Sequence, residues 1–230
     1  FFFSRKNFGW DRIKSLLKMG SQIGAQMFME NSAFVWTSIM MGWFGTAAIA
    51  ANQIATVLAN VAFMIVVGIS SATTIRVSHE FGRRNLKVMK KAADASYHLA
   101  MFWNIIIVTA FIAFRNYIPL LFNDDPEVVR IASTLLIFLA AFQLSDGIQA
   151  IAVGVLRGMQ DVKSLVWVSF LSYIVINLPL GYLCAFQLGW GPAGLWIGFI
   201  FGLTTAAVLF ITRFRRRYAT LRREQVESQR

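Results

Sequence analysis

Six long apolar stretches constrain the fold of this chain more than any other feature of the sequence. They cover about residues 19–43, 47–75, 92–114, 131–156, 165–188 and 193–211. The hydrocarbon core of a bilayer is about 30 Å thick, and a helix rises about 1.5 Å per residue, so each stretch is long enough to cross it. The sequence therefore predicts an all-α integral membrane protein with six transmembrane helices.

The overall composition supports this class and excludes several others. The chain is 57% hydrophobic and 14% charged, with a mean hydropathy of +0.59, whereas soluble domains carry about 25% charged residues. One cysteine, Cys184, excludes a disulfide or a thiolate metal cluster within the chain. No phosphate-binding loop, zinc-ligand spacing or nucleophile motif occurs, so we expect neither an enzyme nor a cofactor beyond a coupling ion.

The basic residues indicate the orientation of the chain. If the helices alternate in direction, 20 of the 22 Lys and Arg fall on one side, and only Arg115 and Arg130 fall on the other. Basic residues concentrate in cytoplasmic loops, so this distribution predicts that both ends are cytoplasmic. It also accounts for the net charge of +11 without a nucleic-acid partner. We predict a single lobe over residues 1–230, with helices at about 13–43, 46–77, 92–114, 131–157, 164–188 and 192–213 and a basic cytoplasmic tail over 214–230. Because the sequence begins without an initiator methionine, we interpret it as part of a longer polypeptide.

Two acidic residues, Glu30 and Asp146, lie within apolar stretches. A charged side chain at the bilayer centre costs about 2.5–3.5 kcal/mol on insertion scales, so such residues are usually functional. Glu30 lies 12 residues after Lys18, and Asp146 lies 11 residues before Arg157. These separations correspond to about 18 Å and about 16 Å of helix, which predicts a similar depth near the midplane. The two acids can share a cavity if the first and fourth helices are neighbours.

A carboxyl group in apolar surroundings can ionise reversibly near neutral pH, and a bound Na⁺ or organic cation favours its charged form. We therefore interpret Glu30 and Asp146 as cation- or proton-binding residues that exchange one cation for another. The alternative is that each acid is protonated and only bonds to a neighbouring helix. Further polar residues of the apolar stretches are candidates for a substrate cavity, namely Gln26, Asn60, Gln143, Gln149 and Asn177. Pro179 interrupts the fifth helix and is a candidate hinge.

Other residues are predicted to be structural. Small residues at a spacing of four, including Gly154/Gly158 and Gly194/Gly198/Gly202, indicate close helix packing. The same pattern occurs at Gly20/Gly24. Arg157 and Asp161 bracket a cytoplasmic turn, and we expect them to form an ion pair or contact lipid headgroups.

Several segments together resemble a known family. They include Gly20-Ser21-Gln22-Ile23-Gly24 leading to Glu30, and Gln143-Leu144-Ser145-Asp146-Gly147-Ile148-Gln149 continuing to Gly154-Val155-Leu156-Arg157-Gly158-Met159-Gln160-Asp161. The chain resembles the C-terminal half of a multidrug and toxic compound extrusion (MATE) transporter of the bacterial norfloxacin-exporter-like branch. The resemblance implies six helices of a twelve-helix, two-lobe protein of the bacterial inner membrane, partnered by an N-terminal lobe and by membrane lipid. It also implies export of amphipathic or cationic drugs coupled to Na⁺ or H⁺, with Glu30 and Asp146 as the membrane acids.

Two other functions remain open. A flippase of the same superfamily would move a polysaccharide or a lipid-linked oligosaccharide, and its anionic cargo would favour a cationic cavity. A membrane-embedded enzyme would use the two acids as a catalytic dyad, but the flanking residues match no such motif.

Overall fold

The computed structural model describes residues 10–227, and all the regular structure in this range is helical. The long helices are α1 (Trp10–Gly42), α2 (Thr46–Gly82), α3 (Leu86–Ala113), α4 (Pro126–Gly158), α5 (Val162–Gln187) and α6 (Pro192–Glu227). A short 3₁₀ turn, Pro119–Leu121, precedes α4. Arg5 and Lys6, which contribute to the predicted charge pattern, and residues 228–230 of the predicted tail lie outside the described residues.

The length and hydropathy of these helices agree with a multi-pass membrane protein. Helices α2 to α6 are long and apolar enough to cross a bilayer. Helix α1 has 33 residues but is more polar, since it carries Gln22, Gln26, Glu30 and Asn31. Large apolar side chains such as Val61, Ile75 and Phe102 are exposed on the outside, as lipid-facing residues are.

The helices are longer than the predicted apolar spans because their ends are determined by caps in polar segments. Asn85 accepts a hydrogen bond from the Val88 amide, so α3 begins at Leu86 rather than near residue 92. Asp125 accepts from the Glu127 amide at 2.8 Å and Pro126 occupies the first turn, so α4 begins before residue 131. Helix α6 continues through the basic segment to Glu227, because arginine and glutamate are good helix formers in water.

Helix α4 lies at the centre of the lobe and packs against α2, α3 and α6. At its contact with α2, the Ser70 hydroxyl donates to the Ala150 carbonyl at 2.7 Å, and the Thr74 hydroxyl donates to the Gly154 carbonyl at 2.9 Å. A Cβ atom at Gly154 would lie 2.7 Å from the Ser70 carbonyl oxygen. The predicted close packing at Gly154 and Gly158 is confirmed, and it holds α4 in a fixed register against α2.

Helix α5 packs against the glycine face of α6. Gly194, Gly198 and Gly202 lie so close to the backbone of α5 that none has room for a Cβ atom. Within α5, residues Phe170–Asn177 and Leu183–Gln187 form wider π-helical turns on either side of Pro179. Proline has no N–H group to close a regular turn, which accounts for an interruption here. In contrast, no described residue comes within 4 Å of a Cβ position at Gly20 or Gly24, so the packing predicted for them is not observed in this part of the chain.

Candidate cation-binding site

A cavity of about 340 Å³ lies between α1, α2 and α4, and Tyr173 of α5 and Leu203 of α6 complete its wall. Both Glu30 and Asp146 line it. The two acids, which are 116 residues apart in the sequence, therefore meet at one site. Its volume lies within the range of about 300–1,000 Å³ that is usual for small-molecule sites.

The lining is arranged in layers because α1 and α4 run in opposite directions. Gln26, Glu30 and Phe34 are spaced four apart on one face of α1. Phe142 lies one turn before Asp146 on α4, and Arg157 follows near the end of that helix. Gln26 and Arg157 thus form one end of the cavity, the carboxylates lie in the middle, and Phe34 and Phe142 lie at the other end.

Aromatic packing holds the phenylalanine end in place. The Phe34 ring stacks on Phe199 with centroids 4.5 Å apart, and the Phe142 ring meets Trp196 edge-on at 5.4 Å. The Trp196 indole donates a 3.1 Å hydrogen bond to the Asn52 side-chain oxygen on α2. Four helices are joined through these contacts, so this end of the cavity has rigid apolar walls.

Glu30 has polar partners around its carboxylate. The Gln26 amide donates to Glu30 Oε2 at 3.1 Å. The Arg157 guanidinium donates to Gln26 Oε1 at 2.7 Å, so Gln26 bridges a cation and an anion. The Tyr173 side chain is fully buried and lines the same cavity as Glu30 and Asp146. Its hydroxyl has no hydrogen bond of good geometry to any described residue.

Asp146 differs from Glu30 in that no partner neutralises it. Its side chain is 5% exposed, and within residues 10–227 it forms no hydrogen bond and no ion pair. A buried carboxylate without partners is costly. It can lower that cost by taking up a proton or by binding a cation that enters the cavity.

The structure brings together most, but not all, of the polar residues predicted to line the cavity. Gln26, Asn60 and Gln149 line it, and Asn60 is exposed at its rim. Gln143 and Asn177 do not line it and are fully buried elsewhere. Gln143 and Gln149 lie six residues apart, which places them about 120° apart around a helix, so a cavity on the Gln149 side excludes Gln143.

Each excluded residue lies in a helix contact instead. Gln143 is one turn before Gly147, where the Asn104 side chain of α3 packs against the α4 backbone. Asn177 packs against Gly198 and Gly202 of α6. The structure thus places Gln143 and Asn177 in two buried interfaces and not in this cavity, and a role for them in substrate binding stays a prediction. Pro179 lies between the π-helical turns of α5, and its role as a hinge stays a prediction.

Arg157 and Tyr173 are among the lining residues that were not predicted. The sequence predicts that Asp161 pairs with Arg157. In the structure Asp161 pairs instead with Arg213 of α6, at 2.7 Å. Arg157 therefore lines the cavity rather than the cytoplasmic turn. The spacing of Arg157 before Asp161 favours a local pair, and no sequence signal reveals a partner 52 residues away. Tyr173 lies in an apolar run where an aromatic residue usually indicates packing.

The lining of the cavity offers groups that can contact a cation. Glu30, Asp146 and Tyr173 provide oxygen atoms, and the rings of Phe34, Phe63 and Phe142 provide faces that attract organic cations. Among the described residues, no cluster of three or more His, Cys, Asp or Glu residues could form a transition-metal site.

Comparison with known proteins identifies the family. The family model described as MatE matches residues 23–183, a segment that includes Glu30, Asp146, Arg157 and Tyr173. The chain belongs to the MatE family.

Two curated relatives of this MatE chain are bacterial proteins named for multidrug resistance. It is 41% identical over 206 residues to the probable multidrug resistance protein NorM of Xylella fastidiosa, covering 90% of this chain and 44% of that protein. It is 37% identical over 210 residues to the multidrug resistance protein MdtK of Yersinia pseudotuberculosis, covering 90% and 46%. The chain thus spans about half the length of the curated relatives it matches, in agreement with its resemblance to one half of a transporter.

Solved MATE structures share the fold of this chain. An outward-facing MATE transporter matches 96% of this chain and 50% of its own with a TM-score of 0.88 and 17% identity. The eukaryotic MATE transporter AtDTX14 matches 96% and 53% with a TM-score of 0.84 and 19% identity. The six helices therefore have the architecture of one MATE lobe, as predicted.

Proposed function

We propose that this chain is one lobe of a secondary active exporter that exchanges Na⁺ or H⁺ for amphipathic organic cations. The observation that carries the proposal is the meeting of Glu30 and Asp146 in one cavity, where Asp146 has no partner among residues 10–227. The names of the NorM and MdtK relatives support multidrug resistance as the biological outcome.

The mechanism follows from the shared cavity. When Asp146 is ionised it attracts a cation, and an organic cation and a coupling ion compete for the same carboxylates. An organic cation gains further stabilisation from contact with the aromatic faces of Phe34 and Phe142. Na⁺ and H⁺ gain less from these faces. Alternate occupancy by the coupling ion and the exported cation produces antiport if only an occupied cavity can reorient across the membrane.

The location of the protein belongs to the same proposal. The charge pattern of the loops supports a bacterial inner membrane protein with both ends of this segment in the cytoplasm. The proposed partners are the N-terminal lobe of the same polypeptide, the exported compound and membrane lipid. The proposal includes no nucleic acid and no cofactor besides the coupling ion.

Flippase activity is less well supported by the lining. Anionic lipid-linked cargo would favour an excess of basic residues, whereas the charged lining residues are two carboxylates and one arginine. The shared cavity also brings two acids together as an enzymatic dyad requires, but no flanking motif supports such chemistry.

Transport by the intact parent protein in proteoliposomes tests the proposal. Efflux of a fluorescent organic cation would be measured under a Na⁺ gradient and, separately, under a pH gradient. We expect one gradient to drive efflux in the wild type and neither to drive it in Glu30→Gln or Asp146→Asn. Equal efflux in all three proteins would contradict the proposal, and movement of a lipid-linked oligosaccharide without a gradient would favour the flippase.

A further inference from the structure

The cavity contains one charged residue that the proposed mechanism does not use. Its charged lining residues are Glu30, Asp146 and Arg157. With all three ionised, this lobe contributes a net charge of one negative unit to the cavity. This net charge depends on Arg157, since without it the same cavity would carry two negative charges.

Arg157 is held in the cavity rather than drawn away from it. Its guanidinium donates to Gln26 at 2.7 Å, and Gln26 in turn donates to Glu30 at 3.1 Å. Arg157 forms no ion pair with any residue in the described range 10–227, because Asp161, its nearest acidic neighbour in sequence, is occupied by Arg213. The Arg157 Nε atom is buried and makes no hydrogen bond to the described residues. Glu30 is therefore the carboxylate to which Arg157 is linked, through Gln26.

The backbone of α4 makes this position of Arg157 hard to change. The neighbouring Gly158 packs against α2 so closely that a Cβ atom would lie 2.9 Å from the Thr74 carbonyl oxygen. Rotation of the last turn of α4 would bring a neighbouring side chain into this contact, where no Cβ atom fits. Arg157 remains on the side that faces α1 and the cavity.

We propose that Arg157 determines the charge of the cation that this lobe accepts, favouring monovalent over divalent organic cations. This inference rests on the proposed function, because it concerns the selectivity of the same site. One cation neutralises a lobe with a net charge of one negative unit. A dication would leave an excess positive charge in a low-dielectric cavity and would be repelled by Arg157.

The test uses two probes of similar shape and permanent charge. N-methyl-4-phenylpyridinium carries one positive charge, and 1,1′-dimethyl-4,4′-bipyridinium carries two. The dissociation constant Kd of each would be measured with the purified intact parent protein. The readout is the ratio of the monocation Kd to the dication Kd, which cancels losses that affect both probes equally.

Substitution of Arg157 should change this ratio in a charge-dependent way. We expect Arg157→Gln to shift the ratio about tenfold towards the dication, since one repulsive unit charge is removed. Arg157→Met, which is apolar and suits the membrane, should give the same shift if the Gln form does not fold. Arg157→Lys retains the charge and should retain the wild-type ratio. Arg216→Gln is the matched control, because it removes one exposed positive charge of α6 that forms no ion pair with the described residues.

The outcomes separate this inference from the function on which it rests. A wild-type protein that binds neither probe contradicts the proposed function, and the inference with it. If the wild type binds the monocation, and Arg157→Gln and Arg157→Met have the same ratio of Kd values as the wild type, only the inference is contradicted. An equal shift in Arg216→Gln also contradicts it, because the effect would then belong to the overall charge of the protein.

Discussion

The Arg157 guanidinium of α4 donates a 2.7 Å hydrogen bond to the side-chain oxygen of Gln26 on α1. This bond links the two helices that carry the carboxylates, although α1 and α4 are separated by the cavity. The Gln26 amide group in turn donates a hydrogen bond to Glu30. The polar residues at this end of the cavity thus form a chain from a cation through an amide to an anion.

Gln26→Ala breaks this chain at its central residue. Hydrogen bonds to charged groups contribute about 1.5–3 kcal/mol each, and two are lost, so we expect the free energy of unfolding to fall by about 3–6 kcal/mol. Thermal and denaturant unfolding of the intact protein in detergent would measure it. Gln22→Ala is the control, since Gln22 lies one turn earlier on α1 and forms no hydrogen bond with the described residues. Equal losses in both variants would show that the chain does not stabilise the lobe.

Gly154→Ala should destabilise the contact between α2 and α4. The added Cβ atom would lie 2.5 Å from the Ser70 hydroxyl oxygen and 2.7 Å from its carbonyl oxygen, and neither α2 nor α4 can move freely. Overpacking of this kind costs about 1–3 kcal/mol. The matched variant Gly24→Ala meets nothing within 4 Å and should be neutral or slightly stabilising. Unfolding of both variants in detergent checks the prediction, which fails if Gly154→Ala is as stable as Gly24→Ala.

Asn52→Leu should destabilise the aromatic end of the cavity. The Trp196 indole N–H is buried and donates to Asn52, so it would lose its acceptor. An unsatisfied buried donor costs about 1–3 kcal/mol. The double variant Asn52→Leu/Trp196→Phe removes both partners and should recover part of the loss. A double variant whose loss equals the sum of the single losses would contradict a direct bond between them.

Tyr173→Phe should separate ion binding from folding. The buried Tyr173 hydroxyl makes no hydrogen bond of good geometry to the described residues, so removing it should change the free energy of unfolding little. If the hydroxyl helps to bind Na⁺ beside Glu30 and Asp146, the Na⁺ concentration for half-maximal transport should rise about tenfold. Tyr173→Leu, which also removes the ring, is the comparison for packing. Unchanged Na⁺ dependence in Tyr173→Phe would exclude the hydroxyl as a ligand.

The location of the two acids was predictable because it depends on local quantities. Residue counts from Lys18 and Arg157 gave a similar depth for Glu30 and Asp146, and helix rise is nearly constant. The sequence could not place α1 and α4 on two sides of one cavity, since that arrangement depends on the packing of both helices against α2 and α5. It also could not reveal that Asp161 pairs with Arg213, which leaves Arg157 to the cavity.

The polar residues show where pattern reasoning reaches its limit. Gln143 and Gln149 are equally distant from Asp146 along the chain, but only Gln149 is on the side of α4 that faces the cavity. The choice between them depends on Asn104 of α3, which packs at Gly147. Periodicity identifies a face of a helix, and only the neighbouring helices decide what that face contacts.

Competition for one site is the most direct test of the central claim. The Kd of a fluorescent organic monocation would be measured with the intact protein at increasing Na⁺ concentration and, separately, at decreasing pH. We predict that Na⁺ or H⁺ raises the apparent Kd in the wild type, and that this competition is lost in Asp146→Asn. Binding of the organic cation that responds to neither ion, or competition that persists unchanged in both Glu30→Gln and Asp146→Asn, would contradict a shared carboxylate site.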